Sequence, residues 1–315
     1  MNTVAVNNIV KKFKEKTAVN GVSFSLEEGE IFGLLGPNGA GKTTVISMLT
    51  TLAVPTEGKG TVCGFDIVEQ SKQVRKNIGL VFQETILDED LTAYDNLEMH
   101  ARLYRVPKKE AKRRIDELLK LVELYDEKKT RVSKFSGGMK RRLEIARGLV
   151  HKPRVLFLDE PTIGLDPKSR RMIWNHILEL KKKRDLTILL TTHYLEEADI
   201  LCDRVAIMAE AKIIVSGTPR ELKQALGGDL IRVVLSERNQ ALEKKVQSLP
   251  YVKKTKIRDK AINLTVDNGE ERAVELINII NSFPPEIKSF NLREPTLDDV
   301  FLYHTGERFG NGFSS

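Results

Sequence analysis

Over roughly the first 225 residues, short apolar runs alternate with stretches that carry apolar residues at helical spacing. EIFGLLG (Glu30 to Gly36), RVLFLDE (Arg154 to Glu160) and LTILLTTH (Leu186 to His193) have the length and uniform hydrophobicity of buried strands. KTTVISMLTTL (Lys42 to Leu52) and KKEAKRRIDELLKLVELY (Lys108 to Tyr125) read as helices. Strands that are apolar on both faces, separated by helices, predict a largely parallel α/β sheet. Near the start, VAVNNIVKKF and GVSFSLEEGE alternate apolar and polar positions, which suits antiparallel strands.

The pattern changes near Gly227-Gly228. Beyond it come strand DLIRVVLSE, helix NQALEKKVQSL, strands VKKTKIR and AINLTVD, helix EERAVELINIINSF and strand EIKSFNLRE. This βαββαβ order is the split, ferredoxin-like arrangement. TLDDVFLYHTG, after Pro295, predicts a last short helix. The expected organisation is a domain over 1–226, a small α+β domain over 229–305 and a flexible tail over 306–315.

GPNGAGKTT (Gly36 to Thr44) fills the gap between the first apolar strand and its helix. It matches the phosphate-binding P-loop pattern. Gly36, Pro37, Asn38, Gly39, Ala40 and Gly41 form a loop whose backbone N–H groups can surround phosphate oxygens. Thr44 follows in the helix, whose positive end faces the same oxygens. Lys42 can reach the β- and γ-phosphates, and the Thr43 hydroxyl can ligate Mg²⁺. A nucleotide with Mg²⁺ is therefore the expected ligand.

VLFLDEP supplies acidic chemistry at a second strand end. A carboxylate leaving a buried strand is poorly solvated and needs a cation, which makes Asp159 a candidate Mg²⁺ ligand. Glu160 points another way and is the candidate general base toward an attacking water. Gln83 follows the apolar GLVF; it is either a ligand of Mg²⁺ or water, or simply a polar strand end. His193 ends LTILLTTH, and is either structural or a donor to the γ-phosphate at the carboxyl edge of the sheet.

FSGGMKRRLEIARGLV (Phe135 to Val150) adds a second Ser-Gly-Gly anion-facing loop before a basic amphipathic helix. The P-loop, Gln83, Ser136-Gly137-Gly138, Asp159-Glu160, GLD (Gly164 to Asp166) and His193 occur here in an order that resembles the ATP-binding subunits of ABC transporters. The resemblance implies a P-loop ABC ATPase domain with a helical subdomain and an antiparallel β subdomain. It also implies two ATPase subunits packed head to tail, ATP held by the P-loop of one and capped by the Ser-Gly-Gly of the other. A helix start has orphan donors and a favourable dipole for that task. Asp166 is expected at the junction. The second subunit must be another chain, so a homodimer is expected, with separately encoded membrane permease subunits.

By the same resemblance Phe13 stacks on adenine; a core position is the alternative. The family commonly has LSGGQ where this chain has FSGGM, so Met139 replaces a polar side chain. QETILDEDLTAYDNLEMHARLY and EPTLDDVFLYHTG are similar to the daunorubicin-resistance-type drug-export subfamily, implying export of drugs, lipids or other hydrophobic compounds. A soluble ABC ATPase acting on a non-transport partner is the other reading. The long coiled-coil insertion of repair members and the paired ATPase units of ribosomal members are not found.

Composition adds limits. The chain has 315 residues and a formal net charge of +7, with Lys and Arg interleaved with Glu. A nucleic-acid binder would more often concentrate its basic residues on one face, and VKKTKIR and AINLTVD lack the aromatics of an RNA-binding sheet, so no nucleic-acid partner is expected. Cys63 and Cys202 are far apart and form neither a disulfide framework nor a zinc pattern. A cytoplasmic location is expected, peripheral on the membrane through the permease. No apolar run approaches the ~18 residues of a membrane span.

Overall fold

In the computed structural model, residues 2–184 and 186–306 are described. The expected tail thus lies outside the described residues except for Gly306. The chain divides into two compact units, Met1–Gly217 and Thr218–Ser315.

The first unit opens with long strands β1 (Asn2–Phe13) and β2 (Lys16–Glu27). β3 (Ile31–Leu35), α1 (Lys42–Leu49), β4 (Glu57–Val62), β5 (Phe65–Asp66), α2 (Ser71–Asn77) and β6 (Ile78–Val81) follow. A helical region then runs through α3 (Ala93–Leu103), α4 (Lys108–Leu121) and α5 (Gly137–Leu149). The unit closes with β7 (Val155–Asp159), α6 (Pro167–Arg184), β8 (Thr187–Thr192), α7 (Leu195–Leu201), β9 (Arg204–Ala209) and β10 (Lys212–Gly217).

Two sheets result. β2-β1-β4-β5 is antiparallel, and the six-stranded sheet has the order β10-β9-β3-β8-β7-β6. In the latter β6, β7, β8, β3 and β9 run parallel, and only β10 is antiparallel. Every residue of β3, β7 and β8 is buried, which is why these runs lack alternation. The parallel direction sends the ends of β3, β6, β7 and β8 to one edge. A shared core joins the two sheets, with Val4, Val22 and Leu26 packed in the same cluster as Phe32, Phe157 and Leu189.

The second unit contains α8 (Pro219–Gln224), β11 (Asp229–Leu235), α9 (Gln240–Gln247), β12 (Val252–Arg258), β13 (Ala261–Val266), α10 (Gly269–Asn281), β14 (Ile287–Arg293) and α11 (Leu297–Thr305). Its antiparallel sheet has the order β12-β13-β11-β14. Ile231, Val233, Ile262 and Leu264 on one face pack with Leu242 and Val246 of α9 and Leu276 and Ile280 of α10. α8 lies in this unit, against α11, rather than with the first domain. A six-residue amphipathic helix does not reveal which core its buried Pro219 and Leu222 join.

Elsewhere the structure shortens elements. The helix expected to reach Tyr125 ends at Leu121, where Glu123 adopts a left-handed φ of 55°. α3 is capped by Thr92, whose hydroxyl accepts from the Asp95 N–H, and presents mixed polar and apolar faces.

α5 sits tightly on β6 because glycines meet there. A Cβ on Gly79 would lie 2.2 Å from the Gly148 carbonyl oxygen. Gly79→Ala should therefore cost about 1–3 kcal/mol through a forced backbone shift, read as a lower urea midpoint; an unchanged midpoint would contradict this packing.

Behind α5, the Tyr104 ring stacks on His151 with centroids 3.7 Å apart, and His100 lies 4.9 Å from Tyr104. Burial, with Arg147 and His151 nearby, depresses the His100 pKa to about 3. The folded state thus refuses a proton that the unfolded state accepts below about pH 6.5, so stability is lost as pH falls through that value. At pH 5 the loss is about 2 kcal/mol. His100→Gln should flatten the fall of the urea midpoint between pH 7.5 and pH 5; an equally steep fall would rule this group out as its source.

Candidate nucleotide site

The P-loop leaves β3 and enters α1 through left-handed backbone at Gly39 and Gly41, with φ of 82° and 103°. At Gly41 a Cβ would sit 2.3 Å from the Ala18 carbonyl oxygen, so both conformation and space require glycine there. Lys42 folds back under the loop. Its Nζ donates to the carbonyls of Gly36 at 2.8 Å and Pro37 at 3.2 Å, and lies 3.4 Å from Glu160 Oε1. Only 5% of Lys42 is exposed. Burial lowers its pKa, and the charge and hydrogen bond of Glu160 oppose that shift.

The β7 exit completes the cluster. Asp159 Oδ1 accepts hydrogen bonds from the Thr43 hydroxyl at 3.2 Å and from the Thr191 hydroxyl. Glu160 is buried and left-handed, with φ of 47°. Such a conformation in a non-glycine residue costs of order 1–3 kcal/mol and persists only when its surroundings hold it. Here the Glu160 N–H donates to Thr191 O at 3.1 Å and to Thr191 Oγ1 at 3.0 Å. Glu160 Oε2 lies 3.0 Å from His193 Nδ1 at the end of β8. One carboxylate is thus gripped between a lysine from the P-loop and a histidine from the neighbouring strand.

Gln83 lies two residues beyond β6 and is exposed. Register aligns Val81 with Leu158, so the chain around Gln83 leaves the sheet beside the Asp159–Glu160 exit. Its side chain has no hydrogen bond among the described residues. Phe13 ends β1 with 51% of its surface exposed, and Lys11 Nζ stands 4.9 Å above its ring. The core alternative for Phe13 is therefore excluded.

Ser136 caps α5, accepting from the Met139 N–H at 3.3 Å. Gly137 is exposed, and a Cβ on Gly138 would meet Ser169 Oγ at 2.9 Å. Asp166 caps the start of α6 through the N–H groups of Lys168 and Ser169, both at 3.0 Å, and accepts from the Ser169 hydroxyl at 2.6 Å. Those bonds to Ser169 lower its pKa although it is exposed. Ser136, Gly138, Asp166 and Ser169 thus form one surface patch. No hydrogen bond or ion pair among the described residues joins it to the P-loop.

Residues 19–163 match the family described as "ABC transporter", and residues 217–305 match "ATP-binding protein DrrA1-3-like, C-terminal domain". The daunorubicin resistance ATP-binding protein DrrA3 of Streptomyces coeruleorubidus is 41% identical over 305 residues, covering 96% of each chain. The chain belongs to the ATP-binding subunits of ABC transporters. Linearmycin resistance ATP-binding protein LnrL of Bacillus subtilis is 39% identical, covering 95% of this chain and 97% of its own. Among solved structures, a dimeric post-hydrolysis state of the ATP-binding cassette MJ0796, bound to ADP and Pi, aligns with a TM-score of 0.61 at 28% identity, covering 68% of this chain and 98% of that one.

This ABC ATPase hydrolyses ATP with Mg²⁺. The geometry fits the ion. Asp159 and the Thr43 hydroxyl offer hard oxygen donors close together, as Mg²⁺ requires. Among the described residues there is no cluster of three or more His, Cys, Asp or Glu able to hold a metal; Mg²⁺ usually keeps phosphate and water oxygens beside one or two protein ligands.

Two buried residues of the region escaped sequence reading: Arg141 and Glu144 of α5. Glu144 is fully buried, and Arg141 is 6% exposed. Their signal was present as two charged positions, three apart, on the helix face that packs inward. A basic helix hides such a pair, because Lys140, Arg141 and Arg142 look alike.

Thr191 is fully buried and bridges Asp159 to the Glu160 N–H. Thr191→Val keeps its shape and removes both bonds. It should destabilise the fold by about 1–2 kcal/mol in urea unfolding; no loss would mean the hydroxyl does not hold this corner.

Proposed function

We propose that this subunit powers export of drugs or other hydrophobic compounds by ATP-driven, head-to-tail dimerisation, working from the cytoplasmic face through a separate membrane permease. The placement of Glu160 between Lys42 and His193, beside the P-loop and Asp159, is the observation that carries the catalytic part. Relatives named for daunorubicin and linearmycin resistance, and for Nod factor export, support the transport part.

The roles follow from chemistry. Gly36, Pro37, Asn38, Gly39, Ala40 and Gly41 surround the phosphates with backbone N–H groups, and Thr44 lies in the first turn of the helix behind them. Lys42 balances charge on the β- and γ-phosphates. Thr43, Asp159 and Gln83 would hold Mg²⁺, which when bound would neutralise charge on the phosphate oxygens. Glu160 accepts the proton of the attacking water through one carboxylate oxygen, while His193 orients the other and is the candidate donor to the γ-phosphate. Phe13 offers an exposed ring for adenine.

Ser136, Gly137 and Gly138 act in trans. Their patch is apart from the P-loop, and the exposed N–H groups at the start of α5 suit a phosphate presented by a second copy. Asp166, rigid in its cap, lies at the same junction. A dimer with two such composite sites uses every half-site.

No helix among the described residues is long and apolar enough to cross a membrane; in this reading the separate permease carries the spans. The face of α3 suits that partner. Met99 and Leu103 are 46% and 71% exposed, beside a shallow cleft of ≈ 380 Å³ lined also by Asp95, Glu98 and Arg102. The second unit serves as a dimer-stabilising or regulatory domain.

Glu160→Gln is the direct test. It should retain ATP binding and lose turnover by a factor of about 100 or more, measured as phosphate release alongside nucleotide affinity. Near-normal phosphate release would remove Glu160 from the base role.

A further inference from the structure

Arg141 sits in the second turn of α5, on the side facing the sheet. A guanidinium has five N–H donors in a fixed planar fork, and here all five are used. Nε donates to Pro161 O at 2.7 Å. Nη2 donates to Asp159 O at 3.0 Å and to Glu160 O at 2.9 Å. Nη1 donates to Phe82 O and, at 3.1 Å, to Glu144 Oε2. The other Glu144 oxygen accepts from the Ile86 N–H at 2.9 Å.

Four of the acceptors on Arg141 are main-chain carbonyls from two separate strand exits. Three belong to the consecutive residues Asp159, Glu160 and Pro161. The fourth, Phe82, immediately precedes Gln83. Glu144 then ties the same Gln83 segment a second time, through Ile86. Burying a guanidinium is costly unless its donors are met; burial pulls its pKa down, and Glu144 opposes that. Any buried guanidinium needs its donors met; what distinguishes this one is where its partners lie. This one joins α5, the left-handed Glu160 and the Gln83 segment in one planar group.

We propose that Arg141 is a positioning residue for ATP hydrolysis: it locks the orientation of Glu160 and of the Gln83 segment to α5, whose other end is Ser136. α5 is a continuous helix. A contact made at Ser136 is thus felt at Glu160 through a rigid connection five residues long, and Glu144 completes the junction. This rests on the reading of Glu160 as the base. Lysine cannot substitute, because an ammonium has three donors for five acceptors and no planar fork.

The test uses the full-length chain with Arg141→Lys and Glu144→Gln, each checked for folding by urea unfolding. Phosphate release and the affinity of a fluorescent ATP analogue are measured together. Neither residue touches the P-loop, so analogue affinity should stay within about threefold while kcat falls about 100-fold in Arg141→Lys, the scale of an ångström-level misplacement, and about 10-fold in Glu144→Gln. A folded Arg141→Lys that turns over within about threefold of the parent overturns the proposal, as does a loss that falls on KM with kcat intact. Should Arg141→Lys fail to fold, Glu144→Gln decides by the same two outcomes. Glu160→Gln assayed beside them keeps the two ideas apart: full turnover there with loss in Arg141→Lys would remove the base and leave Arg141 as a positioning residue for the Gln83 segment.

Discussion

Two carboxylates at the end of a buried parallel strand have to be held in place by something. Asp159 and Glu160 are 4% and 6% exposed, in surroundings where an unpaired charge is expensive. Nearly every feature of the site answers that demand. Lys42 and His193 take the two oxygens of Glu160, and Thr43 and Thr191 take one oxygen of Asp159. The backbone of the same residues is pinned by Arg141 from the far side. The cluster is anchored at the carboxyl edge of one parallel sheet, so a rigid scaffold presents it. In the proposed role of Lys42, a phosphate in the P-loop would compete for its ammonium, and the nucleotide would act on Glu160 through the Lys42 contact already in place.

Much of this was legible in the sequence because the chemistry coincides with strand ends. The runs before Gly36, Asp159 and His193 are apolar throughout, which marks buried parallel strands, and polar residues at their ends can lie only at the rim. The βαββαβ order of the second unit was equally plain, since its strands alternate and its helices carry clear periodicity. The boundary was less so: α8 is short, and its two buried residues fit either core. Phe13 was ambiguous because one aromatic at a strand end can face in or out, and its exposure resolves that. Arg141 and Glu144 were hidden for a different reason. Their meaning depends on carbonyl oxygens from strands distant in sequence, and backbone acceptors leave no mark in a sequence.

Ser136-Gly137-Gly138 gains its sense from the same geometry. Among the described residues the loop caps α5 and Asp166 caps α6, with no hydrogen bond from either to the P-loop. Under the proposed head-to-tail pairing, the phosphate cradle and the second set of outward donors each find their counterpart in a second copy. With Arg141 joining α5 to Glu160, the patch that would meet a second copy and the carboxylate that would activate water move together. On these proposed roles hydrolysis and association are one linked event, which a transporter needs if ATP is not to be consumed idly.

The most direct test of this account is the solution mass of Glu160→Gln with and without ATP and Mg²⁺, repeated with Ser136→Arg added. The account predicts a monomer that becomes a dimer when ATP is added, and no such shift once Ser136 is replaced. A mass that ignores ATP, or a dimer that forms equally well with arginine at position 136, would contradict the composite site.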